Sequence, residues 1–589
     1  MSAANPVTRD GLSEETLHEL AASLGFTMKP DDEATYYTLL KGLEESVHRI
    51  DALPEYTDPR VVPHSAVPLS KRTYTVPEKT DNPLNAWSHK FELKDDKAIA
   101  TGILQGRSVN LKDTVAVAGV PLTLGTQPSH LSTDGSYPVP TVDGPVVRRI
   151  VAAGGVVQGT SVCENYCLSA VSCTSASGPV HNPWLRGYSA GGSTSGAAAL
   201  VAVKAVRAWR EKRGLPVDDL GPGSDLGLGG DQGGSIRLPA AYCGIYGLKP
   251  THGLVPYTGI GSLHPACDHT GPMAASIPDV ALFLSAIAGW DGLDPRATPA
   301  TPLRSAVPAY HTLLEQAIAD KQAAGTWTPT AAGRGLRVGV LKEALEHPGL
   351  DPHVAAVVRA AAARFAGLGA TVAEVSVPLH TTAADIWTAV LHSSMADAAF
   401  RNKAPDLPSY ALPELAPPPP SQAWYDTMTG ANPYAVTALL AAAYLGDVSR
   451  FPTRFRNKAL THLAQLRAAY DALLVGPHVD GAEDADADPD VFDVLLLPVT
   501  PSVGPRHIDL AHTSIQEKMD AGAGIGRDTM PFNITGHPAL SMPGGWAPVP
   551  DGAGKLPVGI QLVGRHHNEL GIFLAASIWE VGGLGLDNE

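Results

Sequence analysis

Short apolar segments alternating with helical patterns are the feature of this sequence that most limits its possible folds. The alternation begins near Ala98 and continues toward the C-terminus. Between two of the apolar segments, residues 353–368 have the alanine-rich, amphipathic pattern of a helix. Strand, helix and strand in series predict an α/β fold with a large mixed β-sheet flanked by helices. Buried strands are predicted at residues 150–157, 336–341, 371–377, 493–498 and 557–563.

The composition predicts a large buried core and argues against two classes of partner. The chain has 589 residues, 44% of them hydrophobic, and its mean hydropathy is near zero, as in globular proteins. Its formal charge of −16 without a basic stripe argues against nucleic acid or an anionic membrane as a partner. The N-terminus lacks the apolar core of a signal peptide, and the five cysteines lack zinc-ligand spacing. We therefore predict a cytoplasmic protein with reduced thiols.

The N-terminal region predicts a helical extension and linker over residues 1–84. Residues 12–24 and 31–53 have helical patterns, and Ser13 is a suitable N-cap for the first of them. The proline-rich segment 54–87 is typical of an extended linker. The extension is compatible with a solvated tail or with a helical element used for docking or dimerisation.

The glycine-rich stretch at residues 229–239 predicts a place where an anion is stabilised. Gly233 and Gly234 remove side chains in front of Ser235, so a ligand can approach consecutive backbone N–H groups. Such a turn suits the oxyanion of an acyl-transfer transition state, and a serine at its rim is a candidate nucleophile. An ordinary glycine turn is the alternative interpretation.

Two further residues, Lys112 and Ser193, are candidates for a functional role. Lys112 lies at the edge of an apolar run, where lost hydration lowers the pKa of a lysine and allows it to act as a general base. Ser193 lies in a small-residue loop that opens a helix. The structural alternatives are a lysine reaching outward from a strand end and a serine that caps a helix.

Taken in chain order, Lys112, Gly-Gly-Ser193 and Gly-Gly-Ser235-Ile-Arg resemble the amidase signature family. The resemblance covers roughly residues 85–300, 335–380 and 490–580, and it is closer to the bacterial amidases associated with nitrile degradation. Further motifs that carry it lie at residues 163–167, 229–235, 240–251, 253–259, 291–296 and 533–541.

The resemblance implies an amidase signature fold and a Ser–cisSer–Lys triad. Ser235 would form the acyl-enzyme, and Ser193, held by a cis peptide bond, would pass its proton to Lys112. Asp231 and Arg237 would brace the loop. The residues implied to form the oxyanion hole or to bind substrate are Gln232, Gly233, Gly234 and Thr194, together with the N–H group of Ser235.

The resemblance also implies a catalytic domain over residues 85–589, with a variable substrate-side region at about 380–490. It implies a homodimer that uses the N-terminal helices, a small amide or carbamate as substrate, and no cofactor. No metal is expected, because the sequence lacks H-E-x-x-H. Residues predicted to lie in a structural loop rather than a metal site are His264, Asp268 and His269. Residues predicted to line the acyl pocket or to belong to the core are Trp387, Met395, Trp424, Tyr425 and Tyr434.

The sequence departs from the family pattern in two places. An insertion is predicted at about residues 204–226, and Thr194 stands where a serine is frequent.

Two alternatives also remain. Ser189 fits the G-x-S-x-G elbow of α/β-hydrolases, but that elbow must follow a buried strand, which residues 182–186 do not predict. One component of a tRNA-dependent amidotransferase shares the signature, although the N-terminal helices argue against it.

Overall fold

The computed structural model describes residues 11–403, 410, 412–475 and 490–583, except for the side chain of Ser393. The predicted N-terminal extension is therefore described from residue 11, and the predicted variable region is described in part. The chain forms two compact units that divide between Pro59 and Arg60. Among the described residues, no helix is both long and apolar enough to cross a bilayer.

The N-terminal unit contains two helices, α1 (Glu14–Ser23) and α2 (Pro30–Asp51). The hydroxyl oxygen of Ser13 accepts a hydrogen bond from the N–H of Thr16, so the predicted N-cap is confirmed. Proline suits the first turn of α2, because the N–H that it lacks would have no partner in the helix. Large apolar side chains that this unit leaves exposed include Leu24, Phe26, Leu39, Leu43 and Ile50.

The second unit is built on an 11-stranded sheet, which confirms the predicted α/β fold with a large mixed sheet. The strand order is β1-β3-β2-β4-β6-β5-β10-β11-β9-β7-β8. Strands β2, β3 and β4 run parallel, as do β7, β8 and β9, and the other pairs are antiparallel. The strands are β1 (Trp87–Leu93), β2 (Ser108–Lys112), β3 (Val156–Ser161), β4 (Leu226–Asp231), β5 (Tyr246–Lys249), β6 (His269–Ala274), β7 (Arg337–Leu341), β8 (Thr371–Val375), β9 (Val494–Pro498), β10 (Ala539–Pro548) and β11 (Lys555–Val563).

Helices cover the sheet and bury its central strands. Every residue of β4 is buried, as expected for a strand covered on both faces. The helices of this unit are α3 (Asp96–Thr101), α4 (Pro145–Ala152), α5 (Ser195–Glu211), α6 (Arg237–Cys243), α7 (Ile277–Ile287), α8 (Tyr310–Ala323), α9 (Lys342–Leu345), α10 (Pro352–Gly367), α11 (Ala383–Arg401), α12 (Gln422–Ala431), α13 (Pro433–Gly446), α14 (Arg454–Leu474), α15 (Ile515–Asp520), α16 (Met530–Thr535) and α17 (Glu569–Glu580).

Four of the five predicted strands are present, but the strand predicted at residues 150–157 is wrong. The first half of that segment belongs to α4, which begins at Pro145, and β3 begins only at Val156. The cause is the ambiguity of a short apolar run, because Ile150 and Val151 complete the buried face of a helix as well as they would fill a strand.

The parallel pairing of β2 with β4 determines where the predicted catalytic residues lie. Lys112 is the last residue of β2, and the loop that carries Ser235 follows β4. The carboxyl ends of parallel neighbours lie at the same edge of a sheet, which is where open α/β sheets bind ligands. Ser193 lies just ahead of α5, which packs against both strands.

Candidate active site

The side chains of Lys112 and Ser193 form a buried pair. Lys112 Nζ donates a hydrogen bond to Ser193 Oγ at 2.8 Å and lies 3.5 Å from the carbonyl oxygen of Gly230. Both side chains are almost fully shielded from solvent. The peptide bond between Gly192 and Ser193 is cis. A proton can therefore pass between a serine hydroxyl and an amine without entering bulk water.

The loop that carries Ser235 is wound around the carboxylate of Asp231. That carboxylate accepts hydrogen bonds from the N–H groups of Gly234 at 2.7 Å and Ile236 at 3.1 Å. Gly234 has a φ of +133°, and a Cβ atom there would lie 2.3 Å from Thr529 Oγ1, so only glycine fits. The resemblance places the N–H of Gly234 in the oxyanion hole, but this group instead donates to Asp231.

A buried ion pair fixes the same loop to the C-terminal part of the chain. Arg237 donates through Nε and Nη2 to the carboxylate of Asp231 at 3.0 and 2.9 Å. Its other hydrogen bonds go to Thr529 O, Gln561 Oε1 and Asn533 Oδ1 at 2.7 to 2.9 Å. Burial alone would raise the pKa of Asp231, but the charge and hydrogen bonds of Arg237 hold that pKa well below its usual range.

Gln232 and Thr194 contact different neighbours. The carbonyl oxygen of Gln232 accepts a hydrogen bond from Trp387 Nε1 at 2.9 Å, and its side-chain amide donates to Tyr257 Oη at 2.6 Å. The hydroxyl of Thr194 is buried and donates to the carbonyl oxygen of Gly230 at 3.0 Å. Thr194 therefore supports the end of β4.

Ser235 opens onto a cavity of about 330 Å³. Gln232 and Gly233 line the same cavity beside it. A volume of this size accommodates a small organic molecule. Apolar residues that form most of the remaining wall include Leu168, Leu238, Leu263, Trp387, Met395 and Met530. Polar groups in the wall include His392, Tyr434 and Arg527.

Of the five residues predicted either to line a pocket or to form core, four have one of these two roles. Trp387, Met395 and Tyr434 line the cavity. Trp424 is buried and donates through Nε1 to a tyrosine hydroxyl at 3.3 Å, so it belongs to the core. Tyr425 is 46% exposed and belongs to neither.

The loop around Asp268 is held by structural contacts. Asp268 Oδ1 accepts hydrogen bonds from the N–H groups of Leu263 and His264 at 3.0 and 3.3 Å, and its other oxygen pairs with Arg296 at 2.7 Å. These contacts agree with the expectation of a structural loop for His264 and Asp268, but the expectation is wrong for His269, which is the first residue of β6.

Ser189, the alternative nucleophile, also has a structural environment. Its hydroxyl oxygen accepts hydrogen bonds from the N–H groups of Ser172 and Gly191, both at 3.0 Å. The described residues 183–187 form bends and turns, whereas a nucleophile elbow would require a strand there. Ser189 is therefore a residue that holds its loop together.

Sequence reasoning does not single out Cys167, although it lies at the centre of this site. Its half-buried thiol lines the cavity and contacts the side chains of Cys163, Ser193 and Lys112. Interaction with the Cys163 thiol outweighs burial and lowers the pKa of Cys167 to about 6. The available signal is the motif Cys-Glu-Asn-Tyr-Cys at residues 163–167, which lacks zinc-ligand spacing and by itself indicates only reduced thiols.

Alkylation of Cys167 is expected to inactivate the protein, because an adduct would occupy the cavity beside Ser193 and Lys112. Because the pKa of this thiol is lowered, the rate of inactivation by iodoacetamide should fall as the pH drops through about 6. Cys167→Ser should resist the reagent. Cys173→Ser is the control, because burial raises the pKa of Cys173 to about 12 and keeps that thiol inert. Equal rates of inactivation in the wild type and in Cys167→Ser would contradict this assignment.

Comparison with known proteins identifies the family. The family model described as Amidase matches residues 83–208 and 221–572. The chain therefore belongs to the amidase family, also called the amidase signature family. It is an amidase, a hydrolase that acts on the carbon–nitrogen bonds of amides. The match is interrupted at residues 209–220, inside the segment predicted as an insertion.

Individual relatives and solved structures agree with this assignment. An enantioselective amidase from Rhodococcus rhodochrous is 32% identical over 549 residues, which is 91% of each chain. A glutamyl-tRNA(Gln) amidotransferase component from Synechococcus sp. (strain CC9605) is 30% identical and covers 82% of this chain and 83% of its own. A peptide amidase in complex with chymostatin is 25% identical, with a TM-score of 0.54, over 80% of this chain and 82% of its own. A bacterial aryl acylamidase has the same fold, with a TM-score of 0.59 at 21% identity over 85% and 89% of the two chains.

Proposed function

We propose that this amidase hydrolyses a carboxylic amide through an acyl-enzyme on Ser235, with Ser193 and Lys112 as the proton relay. The observation that carries the proposal is the buried contact of 2.8 Å between Lys112 Nζ and Ser193 Oγ, at the sheet edge where the Ser235 loop opens onto a cavity. An uncharged Lys112 can accept a proton along this contact, and Ser193 can then take the proton of Ser235.

The reaction proceeds in two halves. Ser235 Oγ attacks the carbonyl carbon while its proton moves to Ser193 and the proton of Ser193 moves to Lys112. The tetrahedral oxyanion then collapses and the carbon–nitrogen bond breaks, and the relay returns the proton to the leaving nitrogen. Water attacks the acyl-enzyme in the same way and releases the carboxylic acid and free Ser235.

The oxyanion is stabilised by backbone N–H groups of the Ser235 loop. We assign this role to Gln232, Gly233 and Ser235, because the N–H of Gly234 is bonded to Asp231. Each well-placed donor lowers the barrier by about 3 kcal/mol. The carbonyl oxygens of Gln232 and Gly233 accept hydrogen bonds from Trp387 Nε1 and Thr529 Oγ1, and these bonds keep the peptide groups oriented.

The wall of the cavity favours an apolar acyl group. Burial of each methylene is worth about 0.8 kcal/mol, so kcat/KM should rise about fourfold per carbon along a series of unbranched primary amides until the cavity is full. Ammonia release by the purified chain measures this series, with an aromatic amide and ethyl carbamate in the same panel. A kcat/KM that falls with chain length would contradict an apolar acyl site.

The same panel separates the two alternatives. Faster release of ammonia from ethyl carbamate than from any amide would make the protein a carbamate hydrolase with the same relay. The amidotransferase alternative is supported by the similarity to the glutamyl-tRNA(Gln) amidotransferase component. It predicts that the chain alone is inactive toward simple amides and needs partner proteins.

We also propose that residues 1–84 form an extension through which two copies associate, ahead of a catalytic domain at 85–589. The support is the exposed apolar face of α1 and α2, which includes Leu39, Leu43 and Ile50. The molar mass in solution, measured by light scattering, distinguishes this homodimer from a monomer.

A further inference from the structure

Asp471, His537 and His566 bring three metal-ligating atoms together outside the residues proposed for catalysis. Asp471 lies near the end of α14, His537 lies in the turn between α16 and β10, and His566 follows β11. Asp471 Oδ1 is 3.0 Å from His537 Nε2 and 3.6 Å from His566 Nδ1. The three ligand atoms all lie within 4.8 Å of one another.

The hydrogen bonds around His537 are compatible with an unprotonated Nε2, which is the form that binds a metal ion. The hydroxyl of Thr535 donates its only proton to the carbonyl oxygen of Pro531 at 3.0 Å. The hydroxyl oxygen can then accept a hydrogen bond from His537 Nδ1, which lies 3.0 Å away. In a neutral ring, His537 Nε2 is then unprotonated and directs its lone pair at Asp471 Oδ1.

The same reasoning applies to His566. Its Nε2 lies 3.1 Å from the carbonyl oxygen of Thr535, which can only accept a hydrogen bond, so this nitrogen carries the proton. In the neutral ring, Nδ1 of His566 therefore also directs a lone pair at Asp471 Oδ1. In these tautomers two imidazole lone pairs and a carboxylate oxygen face one another, and together they are a donor set that suits a divalent cation.

A divalent cation suits this donor set better than two added protons do. Protonation of both rings would place two positive charges on imidazoles whose centroids are 4.1 Å apart. His537 is fully buried, so a charged imidazole there would have little contact with water. A divalent cation would instead bind all three atoms at once, because neutral imidazole and carboxylate are its ordinary ligands.

The distances fit zinc. Ligands at the usual 2.0–2.2 Å from a tetrahedral zinc ion are about 3.3–3.6 Å from one another, close to the 3.0 and 3.6 Å separations observed here. The side chains of Asp471 and His566 are 17% and 30% exposed, which leaves room for water as a fourth ligand. We propose that Asp471, His537 and His566 form a zinc-binding site that joins α14 to the segments on either side of the β10–β11 hairpin.

This zinc site would stabilise the fold without taking part in the amide chemistry. Its ligands are separate from Lys112, Ser193 and Ser235, and the expectation of metal-free catalysis is unchanged. The site lies close to α16, because His537 follows that helix directly and Thr535, which bonds both histidines, is its last residue. Zinc would therefore hold in place the helix that carries Asn533, a partner of Arg237.

The test uses the full chain, stripped of metal with a chelator and then titrated with Zn²⁺ by calorimetry. We expect about one zinc ion per chain, together with a higher melting temperature on binding. His566→Ala should weaken zinc binding by about tenfold or more. The matched control is His512→Ala, because His512 also pairs with a carboxylate, Asp509 at 2.8 Å, on the exposed surface.

Two further measurements keep the proposal falsifiable if a variant folds poorly. Co²⁺ bound to the wild type should give the visible absorption of a tetrahedral complex, and amide hydrolysis should persist after chelation. The proposal is overturned if the stripped wild type takes up no zinc, or if His566→Ala and His512→Ala bind zinc equally well. Loss of all activity on chelation, with recovery on zinc addition, would contradict both a purely structural zinc and the metal-free relay.

Discussion

Replacing Ser235 with alanine is expected to lower kcat for amide hydrolysis by about 10⁴-fold or more, because no other group in the loop can form the acyl-enzyme. The backbone donors of the loop remain in the variant, so residual catalysis from the oxyanion hole alone should survive. Steady-state ammonia release gives kcat, and mass spectrometry of a rapidly quenched reaction should show the acyl adduct in the wild type only.

Ser189→Ala is the matched control for this experiment. Ser189 is also a buried serine, but its hydroxyl accepts backbone hydrogen bonds within its own loop. Its removal should reduce stability more than catalysis. The acyl-enzyme assignment is wrong if Ser189→Ala loses the adduct and Ser235→Ala retains it.

Asp231→Asn is expected to lower the free energy of unfolding by about 3–5 kcal/mol, because it leaves the charge of Arg237 buried without its counter-ion. Both side chains are completely buried. Chemical denaturation measures the change, and circular dichroism establishes that the variant folds. Asp397→Asn is the control, because the pair of Asp397 with Arg401 is exposed and should be worth less than about 1 kcal/mol. If Asp231→Asn lowers the free energy of unfolding as little as Asp397→Asn does, the role assigned to the buried pair is contradicted.

The stabilising effect of Asp231 should also depend on pH. The folded-state pKa of Asp231 is depressed, so its stabilisation is fully present above the usual carboxylate range and is lost as the pH falls toward the folded-state pKa. The stability difference between the wild type and Asp231→Asn should therefore be largest at neutral pH and should shrink in acid.

Local motifs made much of the site predictable, because its chemistry depends on residues close together in sequence. The glycines ahead of Ser235 indicate a loop that only glycine can form. Lys112 lies at the end of a strand that is predicted by its run of apolar residues. The partners of Arg237 could not be predicted in the same way. Thr529, Asn533 and Gln561 lie about 300 residues further along the chain, and nothing in their local sequence indicates what they contact.

A similar share of the fold could be predicted from the sequence. Apolar runs bounded by turn residues identified four strands. The strand prediction at residues 150–157 was wrong because these residues fit a helix and a strand equally well. Cys167 was missed for a different reason. A cysteine becomes notable only through its neighbours, and Lys112 and Ser193 approach it from other segments of the chain.

The anchoring of the Ser235 loop by residues 529–561 has a consequence for biosynthesis. The ribosome makes Lys112, Ser193 and Ser235 within the first half of the chain, but the groups that hold Arg237 emerge close to the end. A nascent chain halted before residue 529 therefore contains every proposed catalytic side chain but lacks the contacts of Arg237 with Thr529, Asn533 and Gln561. We therefore expect amide hydrolysis to arise only when translation is almost complete.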